Sequence, residues 1–326
     1  MKALRFSNFG DVSAVLHIEE LPTPALTPDE VLVEIHAASI NPSDVKNVQG
    51  KIKQTTLPRT PGRDLAGIIV DGDKDIVGEQ IWAAGGDLGF TRDGSHAEYI
   101  VIPKRSARPK PKSLSMVEAA SVGINYITAF FGLIAKARLG NGEAVLVTGA
   151  SGGVGSSVVK LAKSKGARVI AVDRQVMEPE KDQRLGIDLA LSSQLDDIVN
   201  KARQFTQGKG VDVTFDCVGG PIFEIALNSL GLGGRQVNIT SVGDRRVSFD
   251  LIDFYHRQLT LYGVDTLALD VIASGDVLEG LRPAFEQGLL NPPDISRTCS
   301  LEQAVEAYRE VDTGTAKGKI VITFPH

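Results

Sequence analysis

The sequence predicts an α/β protein in which a β-rich, partly open barrel accompanies a doubly wound, six-stranded parallel sheet. Three observations support this fold class. A strand, a glycine turn, a helix and a second strand follow one another across residues 144–173. Strand-like and helix-like segments alternate from residue 140 to residue 264, as in parallel sheets with helical crossovers. Before residue 120, short strands are separated by turn formers, which indicates a barrel.

Length, charge and cysteine content narrow the class of protein. The chain has 326 residues and a formal net charge of -5, which favours two domains and gives no reason to expect a nucleic-acid partner. We see no apolar run of membrane length and no signal peptide, so no membrane partner is expected. Cys217 and Cys299 are the only cysteines, which excludes a disulfide scaffold and indicates the reducing cytoplasm.

The first domain is predicted from short alternating segments. Val31, Val33 and Ile35 alternate with other residues, the period of a half-buried strand. Further strand candidates cover residues 65–70, 80–84 and 97–102. Residues 109–115 are interpreted as a connector, and residues 116–135 as a helix broken near Gly123.

The second domain begins with an apolar run, Ala144–Thr148, of the length of a buried parallel strand. After the glycine turn, polarity takes a helical period that Gly166 ends. Five further strands are predicted at residues 167–172, 188–191, 211–218, 235–240 and 259–264, with helices near 179–185, 195–205 and 221–230.

The end of the chain is predicted to return to the first domain. Residues 271–286 and 301–311 have helical patterns, and the strand pattern at 318–324 has no crossover after it. We therefore predict a discontinuous first domain at residues 1–122 and 266–326, and a second domain at residues 123–265.

The glycine turn carries the strongest functional signal. A pyrophosphate needs backbone N–H donors at close range, and a helix N-terminus supplies them. The predicted loop has small residues at most positions, and Asp173 follows about 20 residues later, at the end of the next strand. The alternative, a glycine-rich connector, leaves the glycines and Asp173 unexplained. The predicted loop residues are Gly149, Ala150, Ser151, Gly152, Gly153, Val154 and Gly155.

Several motifs in order resemble the zinc-independent quinone oxidoreductases (zeta-crystallin-like) of the medium-chain dehydrogenase/reductase superfamily. The resemblance covers nearly the whole chain and implies a GroES-like catalytic domain beside a Rossmann domain, with a substrate cleft between them. The motifs lie at residues 41–44, 61–67, 94–99, 125–129, 149–155, 215–220 and 318–320.

The resemblance also predicts that no zinc is bound. Motif alignment with the zinc-dependent relatives puts Asn41, Arg63 and Ile124 at the three catalytic ligand positions. None of them offers the thiolate or imidazole that zinc prefers. The two cysteines cannot form a four-cysteine structural site, and the five histidines form no close cluster in the sequence.

Without a Lewis acid, the enzyme is expected to reduce an acceptor that needs little polarisation. A quinone or a carbon–carbon double bond conjugated to a carbonyl is such a small-molecule acceptor. The resemblance implies that Asn41, Asp44, Arg63 and Thr128 lie near the cleft. Asn41 and Arg63 could donate hydrogen bonds to an oxyanion, and Thr128 would pack beside the nicotinamide.

Each of these residues also has a structural interpretation. The role of Asn41 could be limited to a turn with the following proline. Asp44 and Arg63 could form a structural ion pair. Asp64 could orient Arg63. Tyr126 is interpreted as a packing residue rather than a proton donor. The lysine pairs at 110/112 and 317/319 are interpreted as solvated charge.

The acceptor class stays open. Quinone reductases of this type often carry a tyrosine where Ile52 aligns here, so an enone or enoyl-thioester double bond is a rival acceptor. A non-catalytic NAD(P)H-binding sensor or structural protein is the second alternative. A zinc-dependent alcohol dehydrogenase is the third.

The cofactor, NADP(H) or NAD(H), also stays open. Asp173 would accept from the ribose hydroxyls of NADH, whereas Arg174 could bind the 2′-phosphate of NADPH. Cys217 is interpreted as a packing residue that also borders the cofactor. Further cofactor contacts are predicted where strands end, since open α/β sheets bind ligands there. They are Cys217, Val218, Thr240, Ser241, Val242, Gly243, Gly263, Val264 and Asp265.

The resemblance implies a homodimer or homotetramer that pairs the last Rossmann strand across a two-fold axis. The segment 259–264 is apolar enough to form that edge.

Overall fold

A computed structural model describes residues 1–176 and 183–325. The chain forms two compact units, one from Met1–Ile127 together with the chain from Thr266 onward, the other from Thr128–Asp265. Sequence alone put the first boundary at residue 122, inside the helix Met116–Phe130.

The first unit begins with strands and short helices. Its strands are β1 (Lys2–Arg5), β2 (His17–Glu20), β3 (Glu30–Ile40), β4 (Asp64–Asp71), β5 (Gln80–Ala84), β6 (Tyr99–Pro103) and β7 (Arg108–Pro109). Its helices are Val12–Val15, Pro42–Val48 and Met116–Phe130, with a 3-10 turn at Lys104–Ser106. The prediction missed β2, β7 and the first two helices, because each is short and its sequence has no clear hydrophobic period.

The second unit follows with alternating strands and helices. Its strands are β8 (Ala144–Thr148), β9 (Arg168–Asp173), β10 (Leu189–Ser192), β11 (Val211–Asp216), β12 (Leu230–Asn238) and β13 (Thr260–Gly263). Its helices are Gly153–Ser164, Ile198–Phe205, Phe223–Asn228 and Leu251–His256, with a π-helical segment at Phe131–Lys136 and a 3-10 turn at Gly220–Ile222.

The chain then completes the first unit. A 3-10 turn at Thr266–Ala268 leads to the helix Val271–Glu286 and strand β14 (Ile295–Cys299). A 3-10 turn at Leu301–Gln303, the helix Ala304–Thr313 and strand β15 (Lys319–Thr323) follow.

The central strand of the first unit is β3. Its sheet has the order β14-β15-β3-β4-β5-β7, and β6 also pairs with β3. The pairs are antiparallel except β14 with β15. Near its carboxyl end, β3 is flanked on both sides, with Ile40 opposite Ile320 and Ser39 opposite Asp64. Residues that are distant in sequence therefore meet at this end of β3.

The second unit confirms the predicted doubly wound sheet. Six parallel strands have the order β10-β9-β8-β11-β12-β13. β12 begins at Leu230, earlier than predicted, because a register shift between Val211 and Val213 accommodates extra residues in the glycine-rich start of β12. The predicted helix near 179–185 falls largely on residues 177–182, outside the described residues.

The helix Met116–Phe130 differs from the prediction in two respects. It is not broken at Gly123, whose absent side chain instead gives room to Asp64, since a Cβ there would lie 2.2 Å from Asp64 Oδ1. The expectation that no segment has membrane length is also wrong. Met116–Lys136 has 21 residues and a mean hydropathy of 1.5, but 72% of the apolar window is buried inside the protein, as in core helices of globular proteins.

Candidate active site

A buried polar cluster lies at the carboxyl end of β3, within the first unit. Asn41 directly follows β3, Asp64 begins β4 and Lys319 begins β15. All three side chains are buried, with Asn41 1%, Asp64 0% and Lys319 6% exposed. They converge because β4 and β15 pair with β3 on its two sides.

The amide of Asn41 is held by two charged groups. Lys319 Nζ donates to Asn41 Oδ1 at 2.6 Å, and Asn41 Nδ2 donates to Asp64 Oδ2 at 2.9 Å. The backbone N–H of Asn41 donates to Asp44 Oδ2 at 2.8 Å, which caps the helix Pro42–Val48. Asn41 therefore forms the turn that the structural interpretation expected, and its side chain also joins the charged cluster.

Asp64 is the centre of this network. Its Oδ1 accepts the backbone N–H of Ile124 at 2.9 Å. Its Oδ2 accepts from the Ser39 hydroxyl at 2.9 Å as well as from Asn41, and Lys319 Nζ lies 3.5 Å away. A buried carboxylate is tolerated when donors and a cation surround it. Asp64 therefore binds the backbone and Asn41, a role that sequence alone did not assign.

Arg63, next in the chain to Asp64, places a second cation in this region. Its side chain is 2% exposed, and its guanidinium carbon lies 4.9 Å from the centroid of the Phe90 ring. Stacking on an aromatic face stabilises a desolvated guanidinium. Arg63 thus supplies a permanent positive charge and several N–H donors.

Asp44 is the carboxyl with the clearest change in acidity. Burial raises its pKa to about 7 despite the hydrogen bond from Asn41, and the charge of Asp64 adds to the rise. Arg63 and Lys319 oppose the rise. Asp44 Oδ1 is buried without a hydrogen-bond partner among the described residues. The side chain therefore takes up a proton near neutral pH.

Replacing Asp44 with asparagine is expected to remove a pH dependence of stability. Between its ordinary pKa of 3.8 and about 7, the native carboxyl keeps a proton that the unfolded chain has lost. The native state binds more protons there, so wild-type stability falls as pH rises, by at most about 1.4 kcal/mol per pH unit. Urea unfolding of Asp44→Asn and wild type from pH 4 to pH 8 should show the variant gaining relative stability with pH. Parallel curves would contradict this.

His96 and Tyr308 are buried, uncharged residues that contact the cluster through the carbonyl of Ser39. His96 Nε2 lies 3.2 Å from the carbonyl of Ser39, and its Nδ1 lies 2.9 Å from the Tyr308 hydroxyl. Burial lowers the pKa of His96 to about 4. The imidazole is therefore neutral at pH 7, donating to Ser39 through Nε2 and accepting from Tyr308 through Nδ1.

Tyr126 and Lys110 have structural partners. The Tyr126 hydroxyl donates to the carbonyl of Asn291 at 2.6 Å, and its ring packs edge-on against Phe285 at 5.0 Å. Lys110 is 9% exposed and donates to the carbonyls of Pro111 and Leu114. The interpretation of Lys110 and Lys319 as solvated charge is therefore wrong, because strand pairing buries both side chains.

The residues at the aligned zinc positions do not fit a zinc ion. Asn41 already uses its amide oxygen for Lys319, Arg63 is cationic, and Ile124 has an alkyl side chain. Zinc sites in proteins use thiolate, imidazole or carboxylate ligands. Among residues 1–176 and 183–325, no three His, Cys, Asp or Glu side chains are grouped to hold a metal ion.

The glycine loop of the second unit has the geometry of a diphosphate cradle. It joins β8 to the helix Gly153–Ser164, which has no side-chain cap at its N-terminus. Gly149 has φ +62, and a Cβ on Gly155 would lie 2.1 Å from the carbonyl oxygen of Gly149. The N–H of Gly152 donates within the loop to the carbonyl of Gly149, so the donors suited to a pyrophosphate are those of the uncapped first turn of the helix.

Asp173 is bound to this loop. Its two carboxylate oxygens accept from the Ser151 backbone N–H at 2.9 Å and from the Ser151 hydroxyl at 3.0 Å. Arg174, the next residue, is exposed. The acidic residue predicted to bind ribose therefore lies against the predicted phosphate loop.

The remaining predicted cofactor residues lie at the carboxyl ends of neighbouring strands. Val218 and Cys217 border Gly149, since a Cβ there would lie 3.2 Å from Val218 Cγ2 and 3.5 Å from Cys217 Cβ. The N–H of Val242 donates to the carbonyl of Val218 at 2.8 Å. Burial raises the pKa of the Cys217 thiol. Thr240, Ser241 and Gly243 lie in the loop after β12, and Gly263, Val264 and Asp265 at or after the end of β13.

Thr128 lies in the helix Met116–Phe130, where it is 7% exposed. It begins the second unit, whereas Asn41, Asp44 and Arg63 belong to the first. The cluster in the first unit thus brings together three of the four residues predicted to be catalytic.

Lys319 is the main residue that sequence reasoning missed. The strand pattern gave only a partial signal for it. The segment that follows Lys319 is apolar at every position from Ile320 to Ile322, as in a strand buried on both faces, but the first residue of such a strand can be exposed, as Arg168 is in β9.

Comparison with known proteins agrees with this architecture. Residues 27–112 match the alcohol dehydrogenase GroES-like domain, and residues 153–276 match the zinc-binding dehydrogenase family. A zinc-type alcohol dehydrogenase-like protein of Schizosaccharomyces pombe is 35% identical over 99% of this chain and 97% of its own.

Two further relatives and a solved structure complete the comparison. A 2-methylene-furan-3-one reductase of Solanum lycopersicum is 32% identical over 99% of this chain and 79% of its own. A human quinone oxidoreductase is 27% identical over 99% of this chain and 97% of its own. A crystal structure of an alcohol dehydrogenase superfamily protein from Novosphingobium aromaticivorans, 29% identical, covers 100% of both chains with a TM-score of 0.89. The chain belongs to the medium-chain dehydrogenase/reductase superfamily, with quinone oxidoreductases and a 2-methylene-furan-3-one reductase among its relatives.

Proposed function

We propose that the protein is an NAD(P)H-dependent oxidoreductase that transfers a hydride to a quinone or another electron-poor conjugated acceptor without zinc. The observation that carries the proposal is the contact of Asn41 with Lys319 and Asp64. Asn41, which the resemblance aligns with a zinc ligand of the zinc-dependent relatives, there carries an amide donor and contacts the buried cation Lys319. The tomato relative is named as a reductase and the human relative as a quinone oxidoreductase, and both names support the same chemistry.

The residues of the cluster have distinct roles in this reaction. When bound, NAD(P)H supplies a hydride to the acceptor, whose electron pair moves onto its carbonyl oxygen, and a proton from water completes the reduction. Asn41 keeps one Nδ2 N–H after its bond to Asp64, and this N–H donates to the developing oxyanion. Arg63 adds positive charge. Thr128, which lies outside the cluster, would pack beside the nicotinamide.

A cavity in the first unit favours the alternative acceptor, the double bond of an enone or enoyl thioester. It measures about 520 Å³ and lies between residues 86–92 and 267–272. Phe90, whose ring contacts Arg63, lines it together with Leu267, Leu269 and Ile272. The lining also includes the polar or charged residues Gln54, Asp87, Thr91, Arg92 and Asp270, so the cavity suits an acceptor that joins an apolar chain to a polar group. The tomato relative, a 2-methylene-furan-3-one reductase, supports this acceptor class.

An acceptor panel tests the proposal. NADH and NADPH oxidation would be measured with 1,4-benzoquinone, trans-2-hexenal and crotonyl coenzyme A. We expect turnover of at least one acceptor, and preference for the enal or thioester would select the double-bond reductase. Tight binding of the dinucleotide without turnover of any acceptor would instead indicate the sensor.

For the cofactor, we propose a preference for NADH. Two hydrogen bonds from Ser151 fix the carboxylate of Asp173, and its charge repels a 2′-phosphate. The side chain of Arg174 is exposed, so it is less firmly positioned than the carboxylate of Asp173.

Substitutions at these two positions test the preference. Asp173→Asn should raise kcat/KM for NADPH about tenfold, the change that about 1.4 kcal/mol of removed repulsion produces. Arg174→Ala, the neighbouring control, should leave the ratio of NADH to NADPH unchanged. A selective loss of NADPH activity in Arg174→Ala would show that the guanidinium binds the phosphate.

We also propose a cytoplasmic homodimer or homotetramer. β13 lies at one edge of the parallel sheet, and the nearby helix Leu251–His256 has no buried residue. Leu251, Ile252 and Tyr255 on this helix are 64%, 59% and 57% exposed, an apolar patch that a second copy would cover. A monomeric mass in light scattering would contradict the proposal.

A further inference from the structure

Lys319 is a buried ammonium with a small set of contacts. It is 6% exposed, its Nζ lies 2.6 Å from Asn41 Oδ1 and 3.5 Å from Asp64 Oδ2. Lys317, two residues earlier, is exposed. Burying a lysine is costly unless its charge is paired, so the position is specialised.

The two charged partners of Asn41 determine the orientation of its amide. An ammonium can only donate, so the atom that faces Lys319 is Oδ1. An ionised carboxylate can only accept, so the atom that faces Asp64 is Nδ2. Rotating the amide by 180° would place Nδ2 against the ammonium and Oδ1 against the carboxylate. The pair therefore permits one orientation and leaves one Nδ2 N–H over.

We propose that Lys319 is a positioning residue that keeps an N–H of Asn41 available for the oxygen of the acceptor. This inference rests on the proposed function, because it requires Asn41 to donate to an oxyanion. Lys319 acts through Asn41 and does not itself touch the acceptor. Without the ammonium, only the hydrogen bond to Asp64 holds the Asn41 amide, so its remaining N–H is less firmly directed at a developing negative charge.

The local charges favour a cation beside Asn41. Asp44 and Asp64 bring two carboxyl groups into the region, and Arg63 and Lys319 bring two cations. Lys319 lies within 4 Å of Asp64 and Arg63 stacks on Phe90. Lys319 is thus the cation that contacts Asn41, and Asn41 is the residue that the resemblance aligns with a zinc ligand of the zinc-dependent relatives.

A double-mutant cycle tests the proposal. The variants are Lys319→Met, Asn41→Ala and the double variant, with Lys317→Met as the matched control and trans-2-hexenal as acceptor. We expect Lys319→Met to lower kcat by about tenfold or more, toward the loss from removing an oxyanion donor, with KM for NADH unchanged. In the Asn41→Ala background, Lys319→Met should have no further effect on kcat, since the two act as a unit. Lys319→Arg should restore part of the rate.

Two further measurements keep the proposal testable if Lys319→Met does not fold or trans-2-hexenal is not reduced. The double variant Asp64→Asn/Lys319→Met removes both charges together, so it should fold. Its loss of kcat should equal the loss expected for Lys319→Met. Hydrogen exchange of the Asn41 side-chain NH₂, followed by NMR, reports the amide directly and should be faster without Lys319.

The possible failures can be told apart. Additive kcat losses in the cycle, or unchanged exchange of the Asn41 amide without Lys319, would overturn the positioning role. An unchanged kcat in Asn41→Ala, or no turnover of any acceptor by wild type, would instead overturn the proposed function on which it rests.

Discussion

Asn41→Ala is expected to lower kcat for trans-2-hexenal by about 10²-fold or more, because it removes a donor to the developing oxyanion. The affinity for NADH should be unchanged, because the glycine loop belongs to the other unit. Steady-state kinetics give kcat, and fluorescence titration gives the dissociation constant of NADH. The same variant leaves Lys319 and Asp64 each without one partner, which costs about 1–3 kcal/mol of stability.

Two other variants separate catalysis from folding. Asn47→Ala removes another buried asparagine, which donates to the carbonyl of Gly89 at 2.6 Å and accepts from Thr55 but lies outside the cluster. It should lose stability and keep kcat. Asn41→Asp keeps the acceptor for Lys319 and loses the N–H, so its kcat should fall as in Asn41→Ala. Equal losses of kcat in Asn47→Ala and Asn41→Ala would show that the effect is only structural.

Gly155→Ala is expected to abolish tight cofactor binding and to destabilise the second unit. The added Cβ would lie 2.1 Å from the Gly149 carbonyl oxygen and 2.8 Å from Ala150 Cα, which are both backbone atoms. The helix Gly153–Ser164 can relieve this clash only by moving away from β8, which displaces the N–H donors of the loop. We expect a loss of about 1–3 kcal/mol, as in other overpacked sites, and at least tenfold weaker NADH binding by fluorescence titration.

Gly280→Ala is the matched control for this variant. Gly280 lies inside the helix Val271–Glu286, and a Cβ there would meet nothing within 4 Å. Alanine is a better helix former than glycine by about 1 kcal/mol, so this variant should be as stable as wild type or more so. Gly155→Ala with wild-type melting temperature and NADH affinity would contradict the role given to the loop.

Sequence alone predicted the second unit well because its signals are local. A buried parallel strand is a continuous apolar run, and β8 has the predicted bounds Ala144–Thr148. The helix after the glycine turn and the helix Val271–Glu286 also follow from their periods. The start of β12 did not follow from a local pattern, because its glycines form a strand only by pairing with β11.

The candidate site was only partly predictable, because its contacts depend on strand pairing. Asn41 and Arg63 could be named from motifs near them in sequence. The role of Asp64 and Lys319 depends on β4 and β15 flanking β3, which no local pattern specifies. Gly123 was misinterpreted for the same reason, since the reason for a glycine there is Asp64, 59 positions earlier in the sequence.

The contact between Asn41 and Lys319 has a consequence for the order of folding. It joins residues 278 positions apart, whereas the second unit is one continuous stretch, Thr128–Asp265. Closing so long a segment is slow compared with forming local contacts. During synthesis, β3 leaves the ribosome long before β15 exists. Asn41 therefore lacks its contact with Lys319 at a stage when the glycine loop can already form. Dinucleotide binding should therefore be acquired earlier than catalytic competence as the nascent chain folds.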